Sequence, residues 1–233
     1  MEDGKIMNKL NVIYEDNHII VVEKIVNVLS QADSSKDLDM LTIVKQYIKE
    51  KYNKEGNVYL GLVHRLDRPV GGIMVFARTS KAASRLSKEV RDKNFSKTYL
   101  TIVHGKMKNN SGRLIDKISK NEKTNTTYLD NKNGKEAILD YEVLLYDRKE
   151  NLSLLKINLI TGRHHQIRFQ MSNNLTPIYG DQRYGTNDKK QIALYAYKLE
   201  FIHPVRKEKM TFKCFPRKEG VWKMLEEVKE KDL

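Results

Sequence analysis

A carboxylate flanked by two arginines lies in the segment Gly61-Leu62-Val63-His64-Arg65-Leu66-Asp67-Arg68-Pro69, directly after an apolar run. Cationic neighbours favour the ionised form of Asp67 and leave it ready to act as a nucleophile or a base. The same residues on an arbitrary surface would form an ion-pair cluster, so the segment alone leaves both readings open. Two other segments hold groups of interest. In Lys97-Thr98-Tyr99-Leu100-Thr101-Ile102-Val103-His104-Gly105, strand alternation puts Lys97, Tyr99 and Thr101 on one face. Thr161-Gly162-Arg163-His164-His165-Gln166-Ile167-Arg168 is followed by Pro177-Ile178-Tyr179-Gly180-Asp181-Gln182-Arg183-Tyr184-Gly185. Taken singly, Tyr99 reads as a core tyrosine and Arg168 as a helix-surface arginine. Asp181, in a Gly-Asp-x-x-Tyr-Gly turn, reads as a loop-ordering residue that bonds to backbone. His64 and His165 read as structural hydrogen-bonders.

Several other chemistries lack their residues. No Gly-rich loop ends in Gly-Lys-Ser or Gly-Lys-Thr, which argues against a P-loop ATPase. No Cys-x-x-Cys pair or His-Glu-x-x-His helix is present. Of the six histidines only His164 and His165 are adjacent, and adjacent helix residues point in different directions, so no metal site is expected. Gly71-Gly72 reads as a tight turn. The one cysteine, Cys214, has no internal disulfide partner, which fits a reducing cytoplasm, and its apolar surroundings make it a packed residue. No apolar run of about 18 residues predicts a membrane span, and Met1-Glu2-Asp3-Gly4-Lys5 has no apolar core for export. Lysine and arginine number 43 against 30 acidic residues, a formal charge of +13. That excess favours a polyanionic partner such as nucleic acid.

The 233 residues, 39% apolar and 31% charged, suit a globular chain with a real core. Residues 1–9 are polar and are expected to fray. Two short strands, Val12 to Tyr14 and Ile19 to Val22, flank a turn at Glu15-Asp16-Asn17. Leu38, Leu41, Val44 or Lys45, Ile48 and Tyr52 follow helical spacing, with Asp37 as N-cap. Strands are predicted over Val58 to Val63, Gly72 to Ala77 and Phe95 to Val103. Thr79 caps a helix carrying Ala82, Ala83, Leu86 and Val90. Lys106 to Gly134 is expected to hold short strands and exposed turns. Ile138 to Tyr146 with Leu152 to Leu159, and Leu194 to Ile202 with Met210 to Phe215, read as hairpins, the second turning at Pro204. Arg163 to Asn173 and the segment of Val221, Trp222, Leu225 and Val228 read as helices. Strands dominate and connections are short, which predicts an α+β fold with a mixed, largely antiparallel central sheet flanked by helices.

Taken together, the three segments resemble the RluA-type pseudouridine synthases. The first is similar to that family's His-Arg-Leu-Asp signature and the second to its Lys-x-Tyr strand. The third is similar to its Thr-Gly-Arg-x-His-Gln-Ile-Arg and Pro-Ile-x-Gly-Asp-x-x-Tyr-Gly signatures. Ala193 to Leu199 and His203-Pro204 resemble its C-terminal strands, so the likeness runs from about Val12 to Pro216. The resemblance implies an isomerase that converts uridine to pseudouridine in RNA, ribosomal RNA first and transfer RNA next. It makes Asp67 the catalytic aspartate and Arg65 the residue that fills the gap left by the extruded base. Tyr99 then stacks on the flipped uracil and Arg168 salt-bridges the aspartate. Ile167 and Leu199 become walls of the base pocket, and His64 belongs to the substrate-binding set. The reaction gains no atom and changes no oxidation state, so no cofactor is expected.

The expected organisation is one catalytic domain over residues 10–233, in two lobes around an RNA-binding cleft. It has no separate N-terminal RNA-binding domain, and it is a cytoplasmic monomer without an obligatory protein partner. RNA would be gripped by Lys81, Arg85, Lys88, Arg91 and Lys93 on the capped helix and by the lysines of 106–135. A non-catalytic RNA-binding or ribosome-assembly protein on the same fold is the alternative. Departures from the family pattern lie at Lys24-Ile25-Val26-Asn27, where Lys-Pro-x-Gly is usual, at Val70-Gly71-Gly72, at His164, at Gln170-Met171 and at Tyr195.

Overall fold

The computed structural model describes residues 10–185 and 189–233; the expectation of a frayed segment over 1–9 lies outside them. The chain divides into two compact units. One comprises the chain up to Phe95 together with Ala196–Cys214, the other Ser96–Tyr195 with Phe215–Leu233. Among the described residues pairing is mixed but mostly antiparallel, and three α-helices accompany it, which is the α+β class expected.

In the first unit β1 (Val12–Glu15) pairs with β2 (Ile19–Lys24) through a turn in which the Asp16 carboxylate accepts from the His18 and Ile19 amides. β3 (Gly61–Leu62) and β2 both pair with β4 (Gly71–Ala77). On the other side of β4 lies β10 (Leu194–Ile202), which belongs to this unit from Ala196 onward and forms a hairpin with β11 (Lys209–Lys213). The apolar run of β2 is buried at every position from Ile19 to Val22, and all seven residues of β4 are buried. Continuous apolar runs of this kind mark a strand covered on both faces. Ile19, Val21, Ile73 and Val75 form a core with Leu199 and Phe201 of β10 and with Ala82 and Leu86.

Those last two residues lie on α2 (Ser80–Arg91), capped by Thr79, whose side chain accepts from the Ala82 amide as expected. α1 (Met40–Lys51) begins two residues later than the sequence suggests. Asp39, not Asp37, is its cap, accepting from the Thr42 amide and hydroxyl, while Asp37 pairs with Arg68. Gly71 and Gly72 do not form the expected tight turn; both lie in β4. Gly72 has φ +123, and a Cβ there would stand 2.2 Å from the Ala196 carbonyl oxygen, so glycine is needed for the close approach of the β10 backbone.

The second unit is an antiparallel array in the order β5, β9, β8, β6, β7, with β5 at Ser96–His104, β6 at Ser111–Asn121, β7 at Thr126–Leu129, β8 at Lys135–Asp147 and β9 at Leu152–Leu159. The polar stretch 106–134 therefore contains one strand of eleven residues as well as a short one. α3 (Gln166–Asn174) follows β9. Near the end of the chain Gly220–Glu227 is a 3-10 helix where sequence spacing predicted an α-helix. Among the described residues no helix is long and apolar enough to cross a membrane.

Candidate active site

In the first unit the segment from Val63 to Asp67 is irregular and leads into a turn in which the Val70 amide bonds to the Asp67 carbonyl at 3.0 Å. Two buried side chains, Lys24 at the end of β2 and Ser30 after it, hold it. Ser30 Oγ donates to the Leu66 carbonyl at 2.7 Å and accepts from the Leu66 amide at 3.1 Å, so one hydroxyl fixes the residue before the aspartate on both sides. Lys24 is 1% exposed, and its Nζ donates to the carbonyls of Ile25 (3.1 Å), Arg68 (2.9 Å) and Val70 (2.8 Å). The ammonium thus clamps the backbone on the C-terminal side of Asp67. Arg68 Nε bonds to the Asn27 carbonyl, and His64 Nε2 accepts from the Val75 amide of β4 at 3.1 Å, the structural role expected of it. Leu66 points into the interior, Asp67 is part-buried and Arg65 is exposed.

Burial pulls Lys24 down to about 7 from its ordinary 10.5, and the charge of Asp67 pulls it back up. Three carbonyl acceptors act in the same direction as Asp67, because they favour the charged form. Nothing in the sequence reading assigned Lys24 a role. The available signals were a lysine closing the apolar run Ile19-Ile20-Val21-Val22 and its match to the lysine of the family's Lys-Pro-x-Gly; the structure pairs it with Gly72 in the β2–β4 register. The folded protein sheds the Lys24 proton near pH 7, whereas the unfolded chain keeps it to about 10.5. Between those values the unfolded state binds more protons, so the stability carried through this group climbs as pH rises. Denaturant titrations at pH 7 and pH 10 are expected to show this gain in the wild type and not in Lys24→Met. The variant also frees two carbonyls of the aspartate loop and is expected to lose at least about 10-fold in kcat, about 1.4 kcal/mol. A Lys24→Met protein with wild-type turnover and the same pH response would show that the clamp is dispensable.

In the second unit α3 starts at Gln166 because His165 adopts φ 47, a left-handed conformation that a helix interior does not permit. Gln166 turns back: its Oε1 accepts from the Arg163 amide at 3.0 Å and the Thr161 hydroxyl at 2.8 Å. Its Nε2 donates to the Ile138 carbonyl and to Gln170 Oε1, and Gln170 continues to Asp116 and the Ala137 carbonyl. The departure at Gln170 thus supplies a buried link from α3 to β6 and β8. Arg168, on the same helix, is 6% exposed and meets Asp181, 1% exposed, in a bidentate pair: Nε to Oδ2 at 2.8 Å and Nη2 to Oδ1 at 2.7 Å. Asp181 Oδ1 also accepts from the Arg183 and Tyr184 amides. Its loop-ordering role is as read from the sequence, and its pairing with Arg168 is what that reading missed.

The Tyr184 ring lies under the Arg168 guanidinium at 5.4 Å. Its hydroxyl accepts from the Thr127 amide at 2.6 Å and lies 2.9 Å from His165 Nδ1. Burial, reinforced by the positive charge of Arg168, holds His165 far below its ordinary value, so it is neutral at pH 7. His164 is pulled down to about 4, first by burial and then by Lys120 and Arg168. Tyr99 in β5 and Ile167 in α3 are buried in this unit, whereas Leu199 sits in the core of the first. Of the basic side chains on and after α2, Arg85 donates to the Pro204 carbonyl and Lys88 pairs with Asp92. Among the described residues no group of three or more His, Cys, Asp or Glu side chains is placed to hold a metal ion.

Comparison with known proteins agrees with these motifs. Residues 18–173 match the family described as RNA pseudouridylate synthase. The chain is 32% identical over 215 residues to an uncharacterized RNA pseudouridine synthase of Aquifex aeolicus, covering 87% of this chain and 68% of that protein. It is 32% identical to the dual-specificity RNA pseudouridine synthase RluA of Haemophilus influenzae, covering 87% and 91%. It is 33% identical to the ribosomal large subunit pseudouridine synthase D of Borreliella burgdorferi, covering 81% of this chain but only 60% of the relative. Among solved structures, human RNA pseudouridylate synthase domain containing 4 shares the fold, with a TM-score of 0.77 at 20% identity over 93% of each chain. The length and level of these matches, with the motifs placed as described, show that the chain belongs to the RluA-type RNA pseudouridine synthases, a family of isomerases.

Proposed function

We propose that this protein converts uridines of ribosomal RNA to pseudouridine, with Asp67 as the catalytic carboxylate. The observation that carries the reading is the loop around Asp67, held on one side by Ser30 and on the other by Lys24, in a chain whose relatives include ribosomal large subunit pseudouridine synthases. A surface ion-pair cluster has no need of two buried side chains shaping its backbone. The isomerisation breaks the glycosidic bond, turns the uracil over and joins ring carbon 5 to the same sugar. It requires an ionised carboxylate of fixed position and a pocket that keeps the detached base. The target base must first leave its stack, at a cost of a few kcal/mol.

In this reading Tyr99 stacks on the extruded uracil, which returns about 1–3 kcal/mol. Arg65, exposed beside Asp67, enters the vacated space, and Arg168 keeps the aspartate ionised. Ile167 and Leu199 serve as apolar walls, and His64 braces the loop. The single cysteine and the ribosomal relatives support a cytoplasmic site of action. The test is incubation of the protein with ribosomal RNA tritiated at uracil carbon 5. Tritium release with intact RNA is the expected result, and no release from any ribosomal or transfer RNA would overturn the reading. Mapping pseudouridines in cells with and without the gene then identifies the position modified.

A further inference from the structure

Lys97 lies two residues before Tyr99 in β5, on the face to which alternation directs both side chains. Only part of Lys97 reaches the surface, and burial holds its ammonium below the ordinary lysine value. Lys24 shows how this protein compensates a buried ammonium, with three carbonyl oxygens and a nearby carboxylate. Lys97 has no such compensation among the described residues. Among the described residues no hydrogen bond or ion pair to its Nζ is found, and no charged group contributes to its shift.

The segment Thr161-Gly162-Arg163 comes close to it. A Cβ on Gly162 would lie 3.0 Å from Lys97 Nζ. Gly162 is not among the residues with a left-handed φ, so its backbone does not require glycine. The ammonium therefore lies against the Gly162 backbone, where a Cβ would crowd it by a few tenths of an ångström.

A partly dehydrated ammonium without a counter-charge lowers stability. A ligand that brings an anion to that point offsets the cost on binding, whereas a neutral uracil carbonyl does so only weakly. Strand residues two apart are separated by about 6.6–6.8 Å, a span comparable to that from a nucleotide's base across its sugar to its phosphate. We infer that Lys97 binds the phosphate of the nucleotide whose base Tyr99 receives, so that one strand holds both ends of the target residue. The inference rests on the proposed RNA substrate and adds a specific phosphate contact to it.

The test compares wild type, Lys97→Met and Lys97→Arg in binding an unmodified ribosomal RNA transcript across a range of KCl concentrations. Lys97→Met is expected to weaken binding about 5- to 10-fold and to reduce the slope of log Kd against log salt by about 0.7–0.9, the signature of one lost phosphate contact. Lys97→Arg is expected to restore the slope. KM should rise in Lys97→Met while kcat changes less than about 3-fold. Its Tm should rise by about 2–4 °C, because an uncompensated charge has gone; a purely structural lysine would give the opposite sign. An unchanged salt slope in Lys97→Met overturns the inference, whatever the Tm. If wild type converts no uridine but the slope still falls, the enzymatic reading fails and the phosphate site stands. If uridine is converted and the slope does not move, the phosphate site fails alone. A wild type that binds no RNA overturns both.

Discussion

Asp67→Ala and Asp67→Asn are each expected to reduce tritium release from uracil-labelled ribosomal RNA by at least about 1,000-fold, about 4 kcal/mol of transition-state stabilisation. The asparagine variant is the sharper test. It keeps the shape of the side chain and one acceptor oxygen, exchanges the other oxygen for an amide donor, and removes the charge and the proton affinity. The main-chain brackets on the loop, Ser30 to Leu66 and Lys24 to Arg68 and Val70, do not use the Asp67 side chain. Both variants should therefore fold, melt within a few degrees of wild type and bind RNA within a few-fold of it. Loss of the carboxylate also withdraws the attraction that holds the Lys24 pKa up, so the Lys24 proton should leave at still lower pH. Tritium release that persists in both variants refutes the assignment. Release that stops on addition of EDTA would favour a metal-dependent reaction over the one proposed.

Asp181→Ala should strongly destabilise the second unit. The carboxylate is almost fully buried, takes two guanidinium hydrogen bonds from Arg168 and accepts two backbone amides of its own turn. Breaking a buried pair by removing one partner costs about 3–5 kcal/mol. For a chain of this size that corresponds to a fall in Tm of roughly 6–20 °C. Asp181→Asn separates two contributions. Its amide oxygen still accepts from the Arg183 and Tyr184 amides while the charge opposite Arg168 is lost, so its Tm should fall less than that of the alanine variant. Activity should fall in both, because Arg168 loses the partner that aims it. Thermal unfolding followed by circular dichroism, with tritium release on the same samples, decides it. An Asp181→Ala protein within about 1 kcal/mol of wild type would show that the pair contributes little.

The sequence made the strands easy to find where burial is simple. The runs Ile19 to Val22 and Gly72 to Ala77 are apolar because both faces are covered. The α2 cap was equally legible, since Thr79 bonds to a neighbour three residues away. The misplacements have physical causes. Asp37 and Asp39 are both acceptable caps by type, and only the distant Arg68, which takes Asp37, separates them. Gly71-Gly72 looks like a turn until the Ala196 backbone is placed against it. The strand Ser111–Asn121 is nearly all polar or exposed, so its hydrophobic alternation is faint and its pairing with β8 decides it.

The candidate site divides along the same line. Asp67, Arg65, Tyr99 and Arg168 were recognisable because short segments carry them. Lys24, Ser30 and the pairing of Asp181 with Arg168 depend on contacts across 13 to 46 residues, which a local reading does not reach. α3 was visible only in outline. Gln166, Arg168 and Gln170 are buried along with Ile167, Phe169 and Met171, so polar side chains stand where an apolar stripe would be sought.

The first unit is completed by strands that follow most of the second in sequence: β10 lies beside β4, and β11 beside β10, although all of Ser96–Tyr195 is synthesised before Ala196. On the ribosome, β4 therefore emerges with one edge vacant and waits roughly 6–25 s at ordinary elongation rates for the strand that fills it. A nascent chain in that interval exposes one unpaired edge of a wholly apolar strand, the kind of surface that chaperones shield and that seeds aggregation when overproduced. The braces described for the aspartate loop, Lys24, Ser30 and the Val75 amide, all precede β10 in the chain, so those contacts form among residues made before the strand that fills the open edge of β4.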